Sequence, residues 1–253
     1  MHFGNEKRME WWKKYFSEDY LKLYRHDESE TSRETEAIIR MLQIEKGEKI
    51  LDLACGFGRH SVKLAQRGFE VTGYDLSESF LKRAQELANS IGVKLELKRG
   101  DMREIPYNEE FDVVINMFTA FGFFESEMED LKVLKGVNKA LKPGGQFLMD
   151  VINRENILQI TTPRRWMREN HSFLLEERFF DFFRSRLELT NQLLLSTGEM
   201  KEANYSIRLY TLTEMLGLFN AAGLVLTDVY GDFSGALYNG ASPRMILVAQ
   251  KEK

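Results

Sequence analysis

Short apolar segments alternate with helical segments between residues 48 and 152, and this alternation constrains the fold more than any other feature of the chain. The apolar segments have the length of buried strands, and the segments between them repeat apolar residues at helical spacing. Strands that alternate with helices form βαβ units, whose right-handed crossovers place helices on both faces of a parallel sheet. The pattern therefore predicts an α/β fold with a doubly wound, mostly parallel, seven-stranded sheet. The predicted strands are 48–54, 69–74, 94–98, 111–117, 146–152, 224–230 and 244–250, the last two antiparallel, and the predicted helices are 59–67, 78–91, 127–141 and 213–222.

Two segments depart from the alternation. Residues 1–36 are charged and aromatic with helical spacing, which predicts an N-terminal helical cap. Residues 153–210 are rich in Phe, Leu, Arg and Glu in stretches that favour antiparallel strands. We therefore predict that 37–152 and 211–253 form the main domain and that 153–210 form an inserted antiparallel β-subdomain.

Composition excludes several classes of function. The 35 Lys and Arg residues against 39 Asp and Glu give a net charge of −4, which disfavours a nucleic-acid partner. One cysteine excludes an internal disulfide framework and a cysteine-based zinc site, so no metal is expected. The sequence shows neither the apolar core of a signal peptide nor an apolar run long enough to span a membrane. We expect a cytoplasmic protein without a membrane partner.

Residues 50–60 (ILDLACGFGRH) predict a buried strand that enters a glycine-containing turn and then a helix. Glycines in such a turn let the backbone approach a ligand closely, and the helix N-terminus offers unpaired N–H groups. The dinucleotide-binding pattern has a third glycine where this chain has Ser61. Asp52, in the strand just before the turn, disfavours a pyrophosphate because like charges repel. An acid at this point suits a ligand that carries a positive charge.

Two further acids follow the second and third predicted strands. Asp75 ends the second strand, where a carboxylate can accept hydrogen bonds from both ribose hydroxyls. Asp101 follows the third strand, where an adenine ring would be held. Ligands of such sheets bind beyond the carboxyl ends of the strands, at the point where the strand order reverses. Together these acids predict a site for an adenosine with a cationic, non-phosphate tail.

These motifs resemble those of the class I S-adenosylmethionine-dependent methyltransferases, in particular a group of small bacterial and archaeal members with a Rossmann-like fold. The resemblance covers residues 35–152 and extends to the closing helix and two strands. Family members often have glycine where this chain has Ala54, whose methyl group is expected to reshape the methionine end of the pocket slightly. The motifs that carry the resemblance are DLACGFG at 52–58, Asp75, Asp101, FD at 111–112 and LKPGG at 141–145.

The resemblance implies S-adenosylmethionine as the cofactor and a set of residues that bind it. Asp52 would orient the turn and favour the ammonium and sulfonium charges, and Asp75 would bind the ribose. Arg33 would pair with the methionine carboxylate, and Tyr20 or Tyr24 would close over the sulfonium. The implied cofactor-binding residues are Tyr20, Tyr24, Arg33, Asp52, Ala54, Cys55, Gly56, Asp75, Leu76, Asp101, Met102, Met117 and Phe118.

The methyl acceptor is expected to be a small molecule. Methyl transfer from a sulfonium is an in-line displacement that needs mainly orientation and desolvation, so the sequence need not contain a dedicated base. Residues 116–119 (NMFT) differ from the Asn/Asp-Pro-Pro-Tyr/Phe segment of enzymes that methylate the amino groups of DNA bases. The insert, 153–210, is expected to form a lid over the acceptor pocket. Candidate acceptor contacts are Arg208, Tyr210, Tyr230, Tyr238 and Arg244.

Other interpretations stay open at this point. The acceptor is alternatively an RNA or a protein, or the chain binds S-adenosylmethionine without catalysis. A nicotinamide-dependent dehydrogenase shares the fold class, but Asp52 and the missing third glycine disfavour it. Either a monomer or a homodimer is compatible with the sequence.

Overall fold

The computed structural model describes residues 27–160, 163–169 and 172–253, which divide into one unit of 27–157 with 210–253 and a second unit of 158–209. No described helix is long and apolar enough to cross a membrane. In chain order the elements are α1 (Glu28–Leu42), β1 (Lys49–Leu53), α2 (Arg59–Gln66), β2 (Glu70–Asp75), α3 (Glu78–Ser90), β3 (Glu96–Arg99), β4 (Phe111–Asn116), α4 (Glu127–Ala140), β5 (Leu141–Ile152), α5 (Arg154–Ile160), β6 (Arg164–Glu169), β7 (Ser172–Asp181), β8 (Arg186–Leu194), β9 (Met200–Arg208), α6 (Leu212–Ala221), β10 (Leu224–Tyr230) and β11 (Arg244–Lys251).

The first unit contains the predicted seven-stranded sheet, in the order β10-β11-β5-β4-β1-β2-β3. β11 runs antiparallel to both of its neighbours, and the other described pairings are parallel. The prediction of a doubly wound, mostly parallel sheet with a closing antiparallel pair is therefore confirmed. β1 pairs with β2 on one side and with β4 on the other, so the strand order reverses between β1 and β4. This is the point at which open α/β sheets bind their ligands.

Apolar side chains on the two faces of the sheet form two core layers. In β1, Leu51 and Leu53 pack in the layer that contains residues of α4 and α6. Ile50 points to the opposite face and packs in the layer that contains residues of α1. Alternation along a strand explains this division, because successive side chains point to opposite faces. Packing on both faces fixes the position of the carboxyl end of each strand relative to the helices.

Helix α1 extends across the predicted boundary at residue 36. Asp27 caps its first turn by accepting a hydrogen bond from the Ser29 backbone N–H at 3.0 Å. The buried residues Ala37, Ile38 and others of its second half pack in the sheet core, so the described part of the predicted cap is continuous with the main domain. Tyr20 and Tyr24, and the rest of 1–26, lie outside the described residues.

The LKPGG segment, 141–145, belongs to β5, although we expected it only to end the preceding helix. Helix α4 ends at Ala140, and the strand begins at once with an irregular register opposite Phe111 and Val113. A side chain at Gly145 would lie 3.0 Å from the Asp112 carbonyl oxygen, so glycine permits this close pairing. The motif therefore joins helix to strand without a loop.

The second unit contains a four-stranded antiparallel sheet in the order β6-β7-β8-β9, as predicted for the insert. The prediction omitted α5, which precedes this sheet. Asn153 explains its start, since its side-chain oxygen accepts a hydrogen bond from the Glu155 N–H at 3.1 Å. The role of this sheet as a lid remains a prediction.

Candidate active site

The turn after β1, residues 54–58, is built from left-handed backbone. Ala54, Gly56 and Gly58 have φ values of 60°, 57° and 78°. A side chain at Gly58 would lie 2.7 Å from the Ala84 Cβ atom, so glycine lets α3 pack directly against the turn. The Ala54 N–H donates to the Tyr74 carbonyl oxygen of β2 at 2.7 Å, which ties the turn to the neighbouring strand.

Asp75, at the end of β2, closes this turn. Its Oδ2 atom accepts the Gly56 N–H at 2.8 Å, and its Oδ1 atom accepts the Ser77 N–H at 2.8 Å. Both donors are neutral backbone groups, and each carboxylate oxygen retains further acceptor capacity. Burial raises the pKa of Asp75 to about 6, with Asp52 adding to the rise, although the two backbone hydrogen bonds oppose it. A partly exposed carboxylate at this position can accept hydrogen bonds from ligand hydroxyls.

Asp52 lies beneath the turn and is 2% exposed. Its Oδ2 atom accepts a hydrogen bond from the Ser61 hydroxyl of α2. Burial raises the pKa of Asp52 above its usual range, and the nearby His60 and Arg59 only partly offset that effect. A cationic ligand close to this carboxyl would lower the cost of keeping it ionised. Burial and the nearby Asp52 and Asp75 raise the pKa of the Cys55 thiol well above its usual range, which disfavours the thiolate form.

A buried polar network joins α1 to the start of α2. Arg59 donates to the Glu34 carboxylate and to the Thr31 hydroxyl, the latter at 3.1 Å. The His60 Nε2 atom lies 2.8 Å from the same Glu34 oxygen. Burial opposes the charge on Glu34, but hydrogen bonds and charge from His60 and Arg59 lower its pKa to about 2. Arg33, the predicted partner of the methionine carboxylate, is the exposed neighbour of this buried acid.

The turn after β4 also has left-handed backbone, here without glycine. Phe118 and Thr119 have φ values of 58° and 61°. The Phe118 N–H donates to Asp150 Oδ2 at 2.9 Å, and Arg244 donates from Nε and Nη2 to the two oxygens of Asp150 at 2.7 and 2.8 Å. The guanidinium carbons of Arg59 and Arg244 lie 5.1 and 5.7 Å from the centre of the Phe118 ring. The structure thus brings a predicted cofactor residue, Phe118, beside a predicted acceptor residue, Arg244.

Asn116, the last residue of β4, connects the two turns. Its Nδ2 atom donates to the Leu53 carbonyl oxygen at the end of β1 at 2.9 Å. Its Oδ1 atom is buried and has no hydrogen-bond partner among the described residues. A buried acceptor normally has a partner from the protein, from water or from a ligand, so this oxygen has acceptor capacity to offer. Met117, the next residue, is 6% exposed and packs in the core.

The residues predicted beside the adenine lie along the edge formed by β2 and β3. The Gly100 N–H donates to the Asp75 carbonyl oxygen at 3.0 Å, which places the segment that follows β3 next to Asp75. Leu76 and Met102 are partly exposed there. Asp101 accepts hydrogen bonds from the Arg103 guanidinium at 2.6 to 3.1 Å, and these lower its pKa although burial opposes them.

The other predicted acceptor contacts are not gathered at one place. Tyr210 is 4% exposed in the core, and its hydroxyl donates to Asp130. Arg208 ends β9 in the second unit. Tyr230 ends β10, and the Tyr238 hydroxyl lies within hydrogen-bond distance of two acceptors, Asn153 Oδ1 at 2.9 Å and Glu155 Oε2 at 3.0 Å.

Sequence analysis missed two groups at this edge: the Glu34 carboxylate and the Asp150 carboxylate. The register of the strands explains the second, since Asp150 pairs with Ile246 two residues beyond Arg244. An acid in the last apolar strand before the insert was the available signal. No comparable signal marks Glu34 among the many acids of its helix.

Comparisons with known proteins agree with this geometry. Residues 50–145 match the sequence profile of the methyltransferase domain family. A Bacillus subtilis (strain 168) protein named "Putative methyltransferase YqeM" is 30% identical over 217 residues, which cover 83% of this chain and 86% of that protein. The chain therefore belongs to the methyltransferase family and is an enzyme of that class.

Solved structures of S-adenosylmethionine-dependent methyltransferases share this fold. An S-adenosylmethionine-dependent methyltransferase from Clostridium acetobutylicum ATCC 824 superposes with a TM-score of 0.81 at 20% identity, covering 94% of this chain and 98% of that one. CalS10, an amino pentose methyltransferase from Micromonospora echinaspora solved with bound S-adenosylmethionine, superposes with a TM-score of 0.66 at 20% identity, covering 99% and 98%.

Proposed function

We propose that the chain transfers a methyl group from S-adenosylmethionine to a small-molecule acceptor. The observation that carries this proposal is the Asp75 carboxylate, which closes the glycine turn through Gly56 and is held only by neutral backbone donors. Such a carboxylate suits the two hydroxyls of a ribose. The buried Asp52 beneath the same turn suits a ligand with a positive charge and opposes a pyrophosphate.

The described residues fit S-adenosylmethionine in charge and in hydrogen-bonding capacity. The backbone of Ala54, Cys55 and Gly56 would hold the amino-acid part, with the orphan Oδ1 atom of Asn116 available to an ammonium group. Asp75 would bind the ribose. The adenine would lie against the partly exposed residues that follow β2 and β3, namely Leu76, Asp101 and Met102.

When bound, the sulfonium group supplies an activated methyl group with a good leaving group. The protein then contributes orientation and exclusion of water. The hydrogen bonds that fix the turns after β1 and β4 keep these two walls in place before the ligand arrives. Preorganisation of this kind reduces the entropy lost when the reacting groups are aligned.

A small-molecule acceptor is favoured over RNA by the charges at the site. Arg59 and Arg244, the cations beside Phe118, are each bonded to a buried carboxylate, Glu34 or Asp150. An RNA backbone is held by many cations at once, because affinity grows with the number of phosphates neutralised, and two paired arginines supply little of that charge. The likeness in fold to an amino pentose methyltransferase is compatible with a small acceptor.

Calorimetric titration tests the cofactor site. S-adenosylmethionine and S-adenosylhomocysteine are titrated into the wild type and the Asp75→Ala variant, with NADH as the competing ligand. The matched control is Asp228→Ala, which removes an exposed acid of β10. We expect micromolar binding of both sulfur ligands in the wild type and the control, with a loss of about 100-fold in Asp75→Ala, since two ribose hydrogen bonds to a carboxylate disappear.

No binding of either sulfur ligand, or a preference for NADH, would contradict the methyltransferase proposal. If the sulfur ligands bind, a screen of small acceptors for methyl transfer tests catalysis. Salt-sensitive binding of RNA at the same site would instead favour the alternative of a nucleic-acid acceptor.

A further inference from the structure

The Arg244 guanidinium is held in a fixed orientation by two of its three nitrogen atoms. Its Nε and Nη2 atoms bind Asp150, and Nη2 also donates to the Thr119 hydroxyl at 2.9 Å. The Nη1 atom has no hydrogen-bond partner among the described residues. The Arg244 side chain is 20% exposed, whereas that of Asp150 is 1% exposed. Asp150 therefore fixes the guanidinium from below, and the remaining N–H groups are available to a ligand.

The Phe118 ring forms an apolar surface next to this cation. It is 45% exposed although it belongs to the turn between buried strands. Its left-handed backbone is maintained by the hydrogen bond from its N–H to Asp150. Non-glycine residues in this conformation cost about 1–3 kcal/mol and concentrate at functional sites. A large exposed ring held in this way is a candidate contact surface.

The two guanidinium groups near the ring determine which ligand charge it accepts. Both lie within 6 Å of the ring centre, at 5.1 and 5.7 Å. They occupy the interaction with the ring that a cationic ligand would otherwise make. The same guanidinium groups attract a ligand that carries a carboxylate, because their planar donors match planar carboxylate acceptors.

We propose that the methyl acceptor carries a carboxylate, that Arg244 Nη1 binds this carboxylate, and that the Phe118 ring packs against the apolar part of the acceptor. The proposal rests on the proposed methyltransferase function and names its substrate class. A monoanion is favoured over a phosphate dianion because Asp150 already neutralises the Arg244 charge. Binding costs little side-chain entropy, since the ion pair has already fixed the guanidinium.

Benzoate and benzamide are the probes, because they share shape and differ in charge. Each is titrated into the protein saturated with S-adenosylhomocysteine. We expect benzoate to bind at least about tenfold more tightly than benzamide, the range of a charge-assisted hydrogen bond. Arg244→Gln should abolish this preference; because it also leaves the buried Asp150 without its partner, its result is interpreted together with that of Arg244→Lys. Arg83→Gln, which removes an exposed arginine of α3, is the matched control and should leave both affinities unchanged.

Two variants separate recognition from a purely structural role of Arg244. Arg244→Lys retains a positive charge beside Asp150 and should preserve thermal stability, yet lose most of the benzoate preference because the fork of donors is gone. Full benzoate affinity in this variant would contradict recognition by Nη1. Phe118→Ala should weaken benzoate about three- to tenfold and leave acetate unchanged, since only the larger anion contacts the ring.

The outcomes distinguish this inference from the proposed function. If S-adenosylhomocysteine binds but wild-type protein does not prefer benzoate to benzamide, the carboxylate acceptor is excluded and the methyltransferase function is untouched. If S-adenosylhomocysteine itself fails to bind, the proposed function is contradicted, and with it the assignment of an acceptor.

Discussion

The turns after β1 and β4 have the same construction but different partners. Each follows a buried strand at the point where the strand order reverses, and each contains left-handed residues. In each, a carboxylate from the next strand outward accepts a backbone N–H of the turn: Asp75 accepts that of Gly56, and Asp150 that of Phe118. Asp75 receives only neutral backbone donors, whereas Asp150 is paired with Arg244.

This difference is the one that we expect between a ligand-binding carboxylate and a structural one. The Asp75 carboxylate keeps acceptor capacity at a partly exposed position, which suits hydroxyl groups of a ligand. The Asp150 carboxylate is 1% exposed, and both of its oxygens are bonded within the protein. We therefore propose that the first turn binds the ligand, whereas the second turn holds Phe118 and Thr119 in a strained conformation.

Removal of Asp150 is expected to have the largest effect on stability. Asp150→Ala leaves the Arg244 guanidinium without its partner and releases the Phe118 N–H. We expect the free energy of unfolding to fall by about 3–5 kcal/mol, the usual cost of breaking a buried ion pair by removing one side. Urea denaturation followed by circular dichroism measures this change.

The control for this variant is Asp112→Ala, which breaks a half-exposed pair with Lys142 at the opposite end of the sheet. It should cost about 1 kcal/mol, because solvent screens such pairs. Equal losses in Asp150→Ala and Asp112→Ala would show that the pair beneath Phe118 has no special structural role.

Ligand affinity should depend on pH through Asp75. Burial raises the pKa of this carboxyl to about 6, and ribose hydroxyls require the ionised form as acceptor. S-adenosylhomocysteine affinity should therefore be constant above pH 7 and fall by up to about tenfold per pH unit as the pH decreases below 6. The raised pKa also means that, in the free protein, this group favours the folded state less as the pH rises through 6.

Titration calorimetry between pH 5 and pH 8 measures this dependence. Asp75→Asn is the matched variant, because it keeps the shape of the side chain and cannot ionise; its affinity should be lower and nearly independent of pH. A wild-type affinity that does not change across this range would remove Asp75 from the ligand site.

The smallest expected effects concern two of the non-glycine residues with left-handed backbone, Ala54 and Thr119. Ala54→Gly relieves strain in the folded chain but adds freedom to the unfolded chain, so stability should change by less than about 1 kcal/mol. Thr119→Gly removes a hydroxyl that bonds both Arg244 and the Ile152 N–H, and should lower stability by about 1–2 kcal/mol. Urea denaturation measures the free energy of unfolding of both variants. Equal changes in Ala54→Gly and Thr119→Gly would mean that the Thr119 hydroxyl contributes nothing to stability.

The sequence predicted the sheet and the first turn because their signals are local. Strand length, helical spacing and the glycines at 56 and 58 lie within a few residues of the structures that they specify. Asp75 was predicted for the same reason, as the acid that ends an apolar strand. The LKPGG segment was predicted less well, because its place in β5 depends on pairing with β4 rather than on its own turn residues.

The second turn was not predictable in the same way. Residues 117–119 carry no glycine, and nothing local marks Phe118 and Thr119 as left-handed. Their conformation depends on Asp150 and Arg244, which are 32 and 126 residues beyond Phe118 in the chain. Tyr210 shows the opposite case, since this predicted acceptor contact lies in the core and its hydroxyl donates to Asp130.

The sequence by itself determined the class of sheet, the glycine turn and the acids that flank it, because periodicity and turn chemistry act over short distances. Only the tertiary structure decided which charges are partnered. The register between β5 and β11 brings the Asp150 carboxylate within reach of Arg244, and packing of α1 on α2 buries Glu34 against Arg59. Such pairings join residues far apart in the chain, so they follow from how the strands and helices pack and not from any segment alone.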